Sequence, residues 1–277
     1  MTAATKSAQE PLIYRPCRGF DELDACVDLQ IETWGYAGGD VVPRRMFLVA
    51  QRIGGQVLGC FDPAISDGNG AADGVAENLI SFAVALPGFR DGKPYLHSHM
   101  LAVREGYRNQ GVGRRMKLAQ REDALKKGLT RMEWTFDPLE IKNAFLNIHR
   151  LGAFSGTYRA NFYGVSSSRL QGGLPTDRLL AEWDLDSPRV EAILNGTFPG
   201  ASNLIEDRIL VPASIYQWKA TEAGRERALA VQLENRRKFQ QAFSHGLFVI
   251  GFSLDAEGNG IFQLGSLYGS DPKQGKE

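Results

Sequence analysis

The sequence predicts a mixed α/β fold built around a mixed β-sheet, and three observations lead to it. Apolar runs of strand length follow one another with short connections at residues 57–61, 79–86 and 95–103, which favours antiparallel neighbours. The apolar period then changes from two to between three and four over residues 112–127, which is typical of an amphipathic helix. A strand at 131–136 follows that helix, and such a strand–helix–strand succession predicts a parallel pair of strands.

The other elements can be placed in chain order around this centre. A short strand at 12–14 precedes a helix over 20–34, which ends at Gly35. After a break at Pro138, a helix is predicted over about 141–151 and ends at Gly152. The remaining predicted elements are strands at 157–163 and 178–185, a long helix at 222–244, and a terminal hairpin of strands at 247–254 and 260–267.

The length of 277 residues fits one large domain, or one domain with a substantial appendage. The character of the chain changes beyond Pro188, from apolar runs to a polar connection and a long helix. We therefore predict a core at residues 1–186 and a C-terminal extension at 187–277, formed by the long helix and the hairpin. A homodimer through that extension remains an open alternative.

Composition excludes several classes of function. The 32 Lys and Arg balance 32 Asp and Glu, so a globally basic nucleic-acid-binding protein is a poor fit. The three cysteines form no CxxC pair, which argues against a disulfide framework or a cysteine metal site. No apolar leader opens the sequence, and the longest apolar run, 79–86, is far below the roughly 20 residues of a membrane span. We expect a cytoplasmic protein that binds neither nucleic acid, membrane nor metal.

The most informative segment joins the strand at 95–103 to the helix at 112–127. The strand ends in Leu101, Ala102 and Val103, and the turn and first helical residues are Arg108, Asn109, Gln110, Gly111, Val112, Gly113 and Arg114. Glycines let backbone N–H groups face a ligand, and a helix start adds the positive end of its dipole, so the segment predicts a pyrophosphate-binding turn. It is neither a Walker A loop nor GxGxxG, since Met116 stands where the third glycine would be.

Charge is distributed unevenly around this turn. Residues 104–131 contain nine Lys or Arg and three Asp or Glu, whereas residues 54–89 contain four acids and no base. Positive charge in a neutral chain is thus concentrated where a phosphate ligand is predicted.

With these residues in place, the sequence resembles the GNAT superfamily of CoA-dependent N-acyltransferases. The family motif Arg/Gln-x-x-Gly-x-Gly/Ala stands here as residues 108–113, after a Leu-Ala-Val triplet. The resemblance covers roughly residues 12–185, and the C-terminal extension is similar to that of a branch of longer predicted acetyltransferases. It implies a central mixed sheet with a splayed parallel strand pair, acyl-CoA as co-substrate, pantetheine along 101–103 and pyrophosphate on the amides of 109–114.

The resemblance also implies a base for the acceptor amine. In the histone acetyltransferase branch the base lies four residues before the Leu-Ala-Val position, and His97 occupies that place. Its imidazole suits proton abstraction at neutral pH. His99 lies two residues on and could act instead or orient its neighbour, and two hydrogen-bonded structural histidines remain the alternative.

The sequence departs from the family pattern in the helix at 141–151. Family members often have a Tyr there that protonates the CoA thiolate, whereas this chain has Ile148, and the Asn that contacts pantetheine is matched only by Asn143, two residues late. Tyr163 could supply the proton from the next strand, or water could. Tyr163 as an ordinary strand aromatic is the alternative.

Two features outside the motif are candidates for the acceptor side. Arg236 lies within a largely apolar stripe of the long helix, where it could anchor a carboxylate of an amino-acid acceptor or a succinyl group, or form a structural salt bridge. The loop at 165–177, with Gly172 and Gly173, could form a lid.

We therefore expect an enzyme that transfers an acyl group, most simply acetyl and alternatively succinyl, from acyl-CoA to the amine of a small molecule such as an amino acid. The motif strand contains no Cys, which favours direct attack over an acyl-enzyme. Two alternatives are a degenerate, non-catalytic CoA-binding module and a protein lysine acetyltransferase that uses the acidic 62–77 segment to attract basic peptides.

Overall fold

The computed structural model describes residues 11–65, 78–164, 168, 171–200 and 204–267. The chain divides into two compact units, one up to Lys127 and one from Gly128. Much of the acidic segment at 62–77 and part of the loop at 165–177 lie outside the described residues. The mixed α/β class is confirmed, with β-sheets and helices in both units.

Four strands form an antiparallel sheet in the first unit, each paired with its neighbour in sequence. They are β1 (Ile13–Pro16), β2 (Gln56–Phe61), β3 (Leu79–Arg90) and β4 (Lys93–Val103). β3 continues past Pro87, where the sequence predicts its end. β2 pairs with β3 only as far as Ala85, so Pro87 lies where a missing N–H costs no ladder hydrogen bond to β2.

Three helices of the first unit pack against this sheet: α1 (Gly19–Trp34), α2 (Arg44–Arg52) and α3 (Val112–Lys126), with 3₁₀ turns at Gly38–Asp40 and Glu105–Tyr107. α1 ends at Gly35 in the left-handed conformation, as predicted. Alternate residues of the strands feed two separate apolar clusters. One contains Phe47 of α2 with Phe82 of β3, and the other contains Met116 of α3 with Ile80 of β3. α2 is absent from the sequence prediction.

The strands of the second unit pair antiparallel in two groups. In the first, β7 (Arg178–Asp184) lies between β5 (Arg131–Phe136) and β6 (Tyr158–Arg159). The second has the order β8-β10-β9, with β8 at Ile205–Val211, β9 at Phe248–Leu254 and β10 at Gly260–Gly265. The predicted terminal hairpin is confirmed as β9 and β10, whereas β8 is missing from the prediction.

The helices of the second unit are α4 (Ile141–Ala144), which continues into a π-helical turn at Phe145–Arg150, α5 (Pro188–Leu194), α6 (Ile215–Ala220) and α7 (Glu222–Ser244). α7 has the predicted bounds, and its first turn is capped by the Thr221 side chain, which accepts from the Gly224 N–H. Phe239 of α7 stacks on Tyr158 of β6 and meets the edge of Phe262 of β10. The predicted extension and residues 131–185 thus share one core.

None of the helices in the described residues has the length and apolarity that crossing a membrane requires. Within the same part of the chain, no group of three or more His, Cys, Asp or Glu side chains could hold a metal ion.

Candidate functional site

The turn between β4 and α3 has the backbone that its sequence predicts. Asn109 and Gly111 both adopt positive φ, 61° and 81°, a conformation that glycine and asparagine tolerate best. Gly111 is the residue before the first turn of α3. A Cβ built on Gly111 would meet no atom within 4 Å. The inner side of the turn is therefore open backbone.

The N-terminus of α3 is a ready anion site. No side chain caps this 15-residue helix, so no capping side chain competes for the N–H groups of its first turn, where the positive end of the dipole lies. A Cβ on Gly113 would meet only the Leu101 and Val103 side chains, both at 3.8 Å. The arrangement fits a pyrophosphate resting on the backbone, as the sequence predicts for Asn109 to Arg114.

Side chains of the turn fasten it to itself and to β4. Arg108 donates from Nε to the Val103 carbonyl at 2.9 Å, and Gln110 donates from Nε2 to the Gly106 carbonyl at 2.7 Å. The Tyr107 hydroxyl donates to Asp62 at 2.5 Å, and this bond, together with burial, raises the pKa of Tyr107 to about 12. These contacts hold the turn in a fixed shape before any ligand is bound.

The β4 strand carries both histidines and a bulge. Val84 pairs with Met100 and Ala85 pairs with Ser98, which leaves His99 as the extra residue of β4. The His97 and His99 rings are 6.4 Å apart. His99 is exposed at the surface, and desolvation by its surroundings, followed by the charge of His97, lowers its pKa from 6.5. The neutral imidazole therefore predominates at pH 7.

A buried lysine lies behind this part of β4. Lys117 of α3 is 4% exposed and donates from Nζ to the Ser98 hydroxyl at 2.8 Å, and that hydroxyl donates to Gln120 Oε1 at 3.1 Å. Burial lowers the pKa of Lys117 well below 10.5. The hydrogen bonds join the helix of the phosphate turn to the strand residue between the two histidines.

An apolar cavity of about 220 Å³ opens beside His99. Its walls come from the segment before α2, from α2 itself, and from β3 and β4. The apolar side chains that line it are Val41, Val42, Pro43, Met46, Phe47, Val84 and Leu86. His99 is the only titratable residue in the lining that the described part of the chain provides.

All three cysteines are buried. Cys60 is fully buried, and burial is the main cause that raises its pKa to about 11. Cys17 and Cys26 are both buried, and their Sγ atoms are 3.8 Å apart. The hydrogen bond with Cys17 is the main cause that raises the pKa of Cys26. A thiol needs its anion to act as a nucleophile. These environments therefore support the predicted direct attack.

The second unit contains the residues that the sequence analysis considers for protonating the CoA thiolate and for contacting pantetheine. Ile148 is 1% exposed and forms part of the core, whereas Asn143 of α4 is exposed. The turn around Ile148 is π-helical, with Leu151 N–H bonded to the Leu146 carbonyl at 3.0 Å, and such turns are rare and often functional.

Tyr163 lies in a turn and not in a strand, because β6 ends at Arg159. This corrects the strand predicted at 157–163. Its hydroxyl is 2.8 Å from Thr135 Oγ1 of β5, and the Arg178 guanidinium lies over its ring at 5.4 Å. The side chain is 46% exposed, so solvent reaches it.

Arg236 forms a salt bridge with a residue of its own unit. Nε and Nη2 each donate to a different oxygen of Asp177 at 2.8 Å, and Asp177 is fully buried. Asp177 also accepts from the Tyr158 hydroxyl at 2.5 Å and from the Asn161 N–H at 2.9 Å. This geometry favours the structural salt bridge, the alternative to substrate binding that the sequence left open.

In the first unit the two histidines lie on β4 and the phosphate turn follows the end of that strand; their catalytic and binding roles stay predictions. Lys117 and the cavity are absent from the sequence prediction. Lys117 shares a helical stripe with Gly113, Gln120 and Ala124, and the two small residues on that stripe are the signal that the sequence offers for its burial. The cavity has no such local signal, because its walls come from three separate segments.

Comparisons with known proteins address the same region. Residues 13–146 match the model of the acetyltransferase (GNAT) family. The curated proteins contain no match to the chain.

Similar solved structures include the following three. The NatC complex bound to Gag peptide and CoA is 13% identical with a TM-score of 0.48, and the match covers 63% of this chain and 99% of that one. The ribosomal-protein-S18-alanine N-acetyltransferase from Escherichia coli is 15% identical with a TM-score of 0.46, and the match covers 64% of this chain and 96% of that one. The structure of yncA from Salmonella typhimurium with acetyl-CoA is 16% identical with a TM-score of 0.47, and the match covers 64% of this chain and 96% of that one.

Proposed function

We propose that the chain is an acyl-CoA-dependent N-acetyltransferase that acylates the amine of a small molecule by direct attack, with His99 as the base. The match of residues 13–146 to the GNAT acetyltransferase family model supports this proposal. The simplest acyl group is acetyl, and succinyl is the alternative. The observation that carries the proposal is the open turn at Asn109 and Gly111, which leads into an uncapped helix.

We assign the donor to this turn. The pyrophosphate would rest on backbone N–H groups between Asn109 and Arg114, where the α3 dipole favours negative charge. Arg108 and Gln110 keep the turn in shape through the Val103 and Gly106 carbonyls. The pantetheine would follow the end of β4 at Leu101, Ala102 and Val103, as the family resemblance implies.

The base must accept a proton from the acceptor amine. The amine nitrogen attacks the thioester carbon, a C–N bond forms, the C–S bond breaks, and the nitrogen passes one proton to His99. Three features favour His99 over His97 for this step: it is the bulged residue of β4, it is exposed, and it lines the cavity. Its lowered pKa keeps the imidazole ready to accept a proton at neutral pH. His97 would then be a positioning residue.

The departing thiolate needs a proton or a hydrogen-bond donor. Ile148 cannot supply one, so Tyr163 as this donor stays a prediction, with water as the alternative. The hydrogen bond between Tyr163 and Thr135 would orient the hydroxyl.

Thiol release measured with acetyl-CoA and succinyl-CoA against a panel of amines, amino acids and Lys-rich peptides tests this function. We expect turnover with small amines, together with saturable CoA binding. Tight CoA binding without turnover on any acceptor would instead identify a non-catalytic CoA-binding module. Turnover with Lys-rich peptides alone would identify a protein lysine acetyltransferase, and the absence of CoA binding would refute the role of the turn.

A further inference from the structure

We infer that the acceptor is a primary amine with an apolar body of about the size of a phenylalkyl or branched alkyl group, and that this body occupies the cavity beside His99. The inference rests on the proposed function and names the substrate class of that site.

The size of the cavity sets the size of the group. A cavity of about 150 Å³ lined by aliphatic and aromatic side chains can hold benzene, and this cavity measures about 220 Å³. It therefore has room for a six-membered ring with one or two methylene groups, or for a branched chain of five or six carbons. A drug-sized ligand needs more space than this.

Apart from His99, the side chains in the walls of the cavity are apolar and offer no partner to a charged group. Val42, in the wall, has both backbone groups occupied by the buried Gln30: its N–H donates to Oε1 at 2.9 Å and its carbonyl accepts from Nε2 at 2.7 Å. Arg44, at the start of α2, turns away toward α1, where it pairs with Asp24 at 2.6 Å and lies over the Phe20 ring. A carboxylate in the cavity would lose its hydration without gaining a partner.

His99 identifies the occupant as the acceptor rather than the acyl chain. A proton acceptor has to lie within hydrogen-bond reach of the nitrogen that loses the proton. Because His99 is the polar residue at the edge of an otherwise apolar cavity, an amine whose nitrogen meets this imidazole places its carbon skeleton among Val42, Met46 and Leu86. The neutral imidazole also does not repel an approaching ammonium ion.

A graded series of acceptors tests the inference with acetyl-CoA as donor. We expect kcat/KM to rise about fourfold for each methylene added from methylamine to pentylamine, the factor that corresponds to burying one CH₂ group. Phenethylamine should exceed phenylalanine, glutamate and lysine by about tenfold or more, because each of these carries a charge in addition to the reacting amine.

Two tryptophan substitutions on α2 provide a matched pair. Met46 and Val49 are 45% and 43% exposed, but only Met46 lines the cavity. We expect Met46→Trp to lower kcat/KM for phenethylamine about tenfold or more and for methylamine less than twofold, since the added ring fills space that methylamine does not need. Val49→Trp should leave both values unchanged.

Binding is measured separately from turnover. The ε-methyl resonance of Met46, assigned by its loss in Met46→Leu, should shift on titration with phenethylamine and not with lysine. If the shift occurs but no amine is acylated, the proposed function fails and the cavity assignment stands. The inference is overturned if Met46 does not respond, if selectivity among amines is flat, or if Met46→Trp discriminates between acetyl-CoA and hexanoyl-CoA rather than between amines.

Discussion

The phosphate turn and the cavity beside His99 belong to the same unit but are built in different ways. The turn is made of backbone: two residues with positive φ and an uncapped helix start, all within 103–114. The cavity is made of side chains that come from residues 39–47, 84–86 and 99. A backbone site presents the same donors whatever surrounds it, whereas a side-chain cavity takes its selectivity from each residue in its wall.

This difference separates the two substrates of the reaction. The turn would recognise the part of acyl-CoA that does not change, and the cavity would determine which amine reacts. Variants of the cavity edge should therefore change rate and acceptor choice, and variants of the turn should change affinity for CoA.

The largest expected effect is that of His99→Ala. Loss of a general base typically costs about 10²- to 10⁴-fold, so kcat/KM for the amine should fall by that factor, while the KM for acetyl-CoA stays within about twofold. His245→Ala is the matched control, because His245 is an exposed histidine that follows α7. Steady-state thiol release at pH 7.5 measures both variants.

The pH profile gives a second measure of the same residue. As pH falls through the lowered pKa of His99, the imidazole gains a proton and can no longer accept one from the amine. The wild-type kcat/KM should therefore lose its His99 contribution only below pH 6.5, and His99→Ala should lack this decline. If His97→Ala loses the activity and His99→Ala keeps it, the base is His97; if both keep it across pH 6 to 9, neither histidine is the base.

A smaller effect is expected from the turn. Gly111→Ala places a Cβ at φ 81°, where an L-residue costs about 1–2 kcal/mol. The free variant relieves this strain by leaving the native turn conformation, and binding has to restore that conformation, so the Kd for CoA should rise about tenfold. Gly113→Ala is the control, because its Cβ would make ordinary contacts at 3.8 Å inside a helix. Calorimetric titration with CoA should show a Kd within about threefold of wild type for Gly113→Ala. Equal losses in the two variants would contradict a role for the backbone conformation of Gly111.

The sequence predicts the turn and much of the fold because apolar periodicity and turn residues are signals carried by neighbouring residues. The bounds of β5 and α7 agree with the prediction, and α3 begins directly after Gly111. β8 was not predicted, because most of its residues are exposed and its sequence shows little alternation of apolar and polar residues. α2 escaped because it is short and leaves Met46, Val49 and Ile53 exposed on its surface.

The acceptor side could not be predicted in the same way. Arg236 looked like an unpaired charge on an apolar stripe, but its partner Asp177 is 59 residues away in the chain. The cavity depends on contacts among three segments, which no period or motif records. The histidine pair was predicted, but the bulge that distinguishes His99 from His97 follows from the register between β3 and β4.

Lys117 connects the helix that follows the phosphate turn to β4, the strand that carries His99. Its substitution should give the smallest effect, a change in the pH dependence of the free energy of unfolding. Its pKa is lowered in the folded protein, whereas the unfolded chain has the ordinary value of 10.5. Between these two values the unfolded state binds more protons, so this lysine makes the protein more stable as pH rises toward 10.5 and less stable as pH falls. The slope is at most about 1.4 kcal/mol per pH unit.

Lys117→Met retains the length of the buried side chain and removes the titration. The free energy of unfolding of wild type relative to Lys117→Met should therefore rise between pH 7 and pH 9.5, as measured by urea denaturation at several pH values. Lys126→Met on the same helix is the control, because the Lys126 side chain is 70% exposed, and it should show no such rise. Parallel pH profiles for wild type and Lys117→Met would mean that Lys117 keeps its proton in the fold, and that a charged rather than a neutral amine donates to Ser98 between the two histidines.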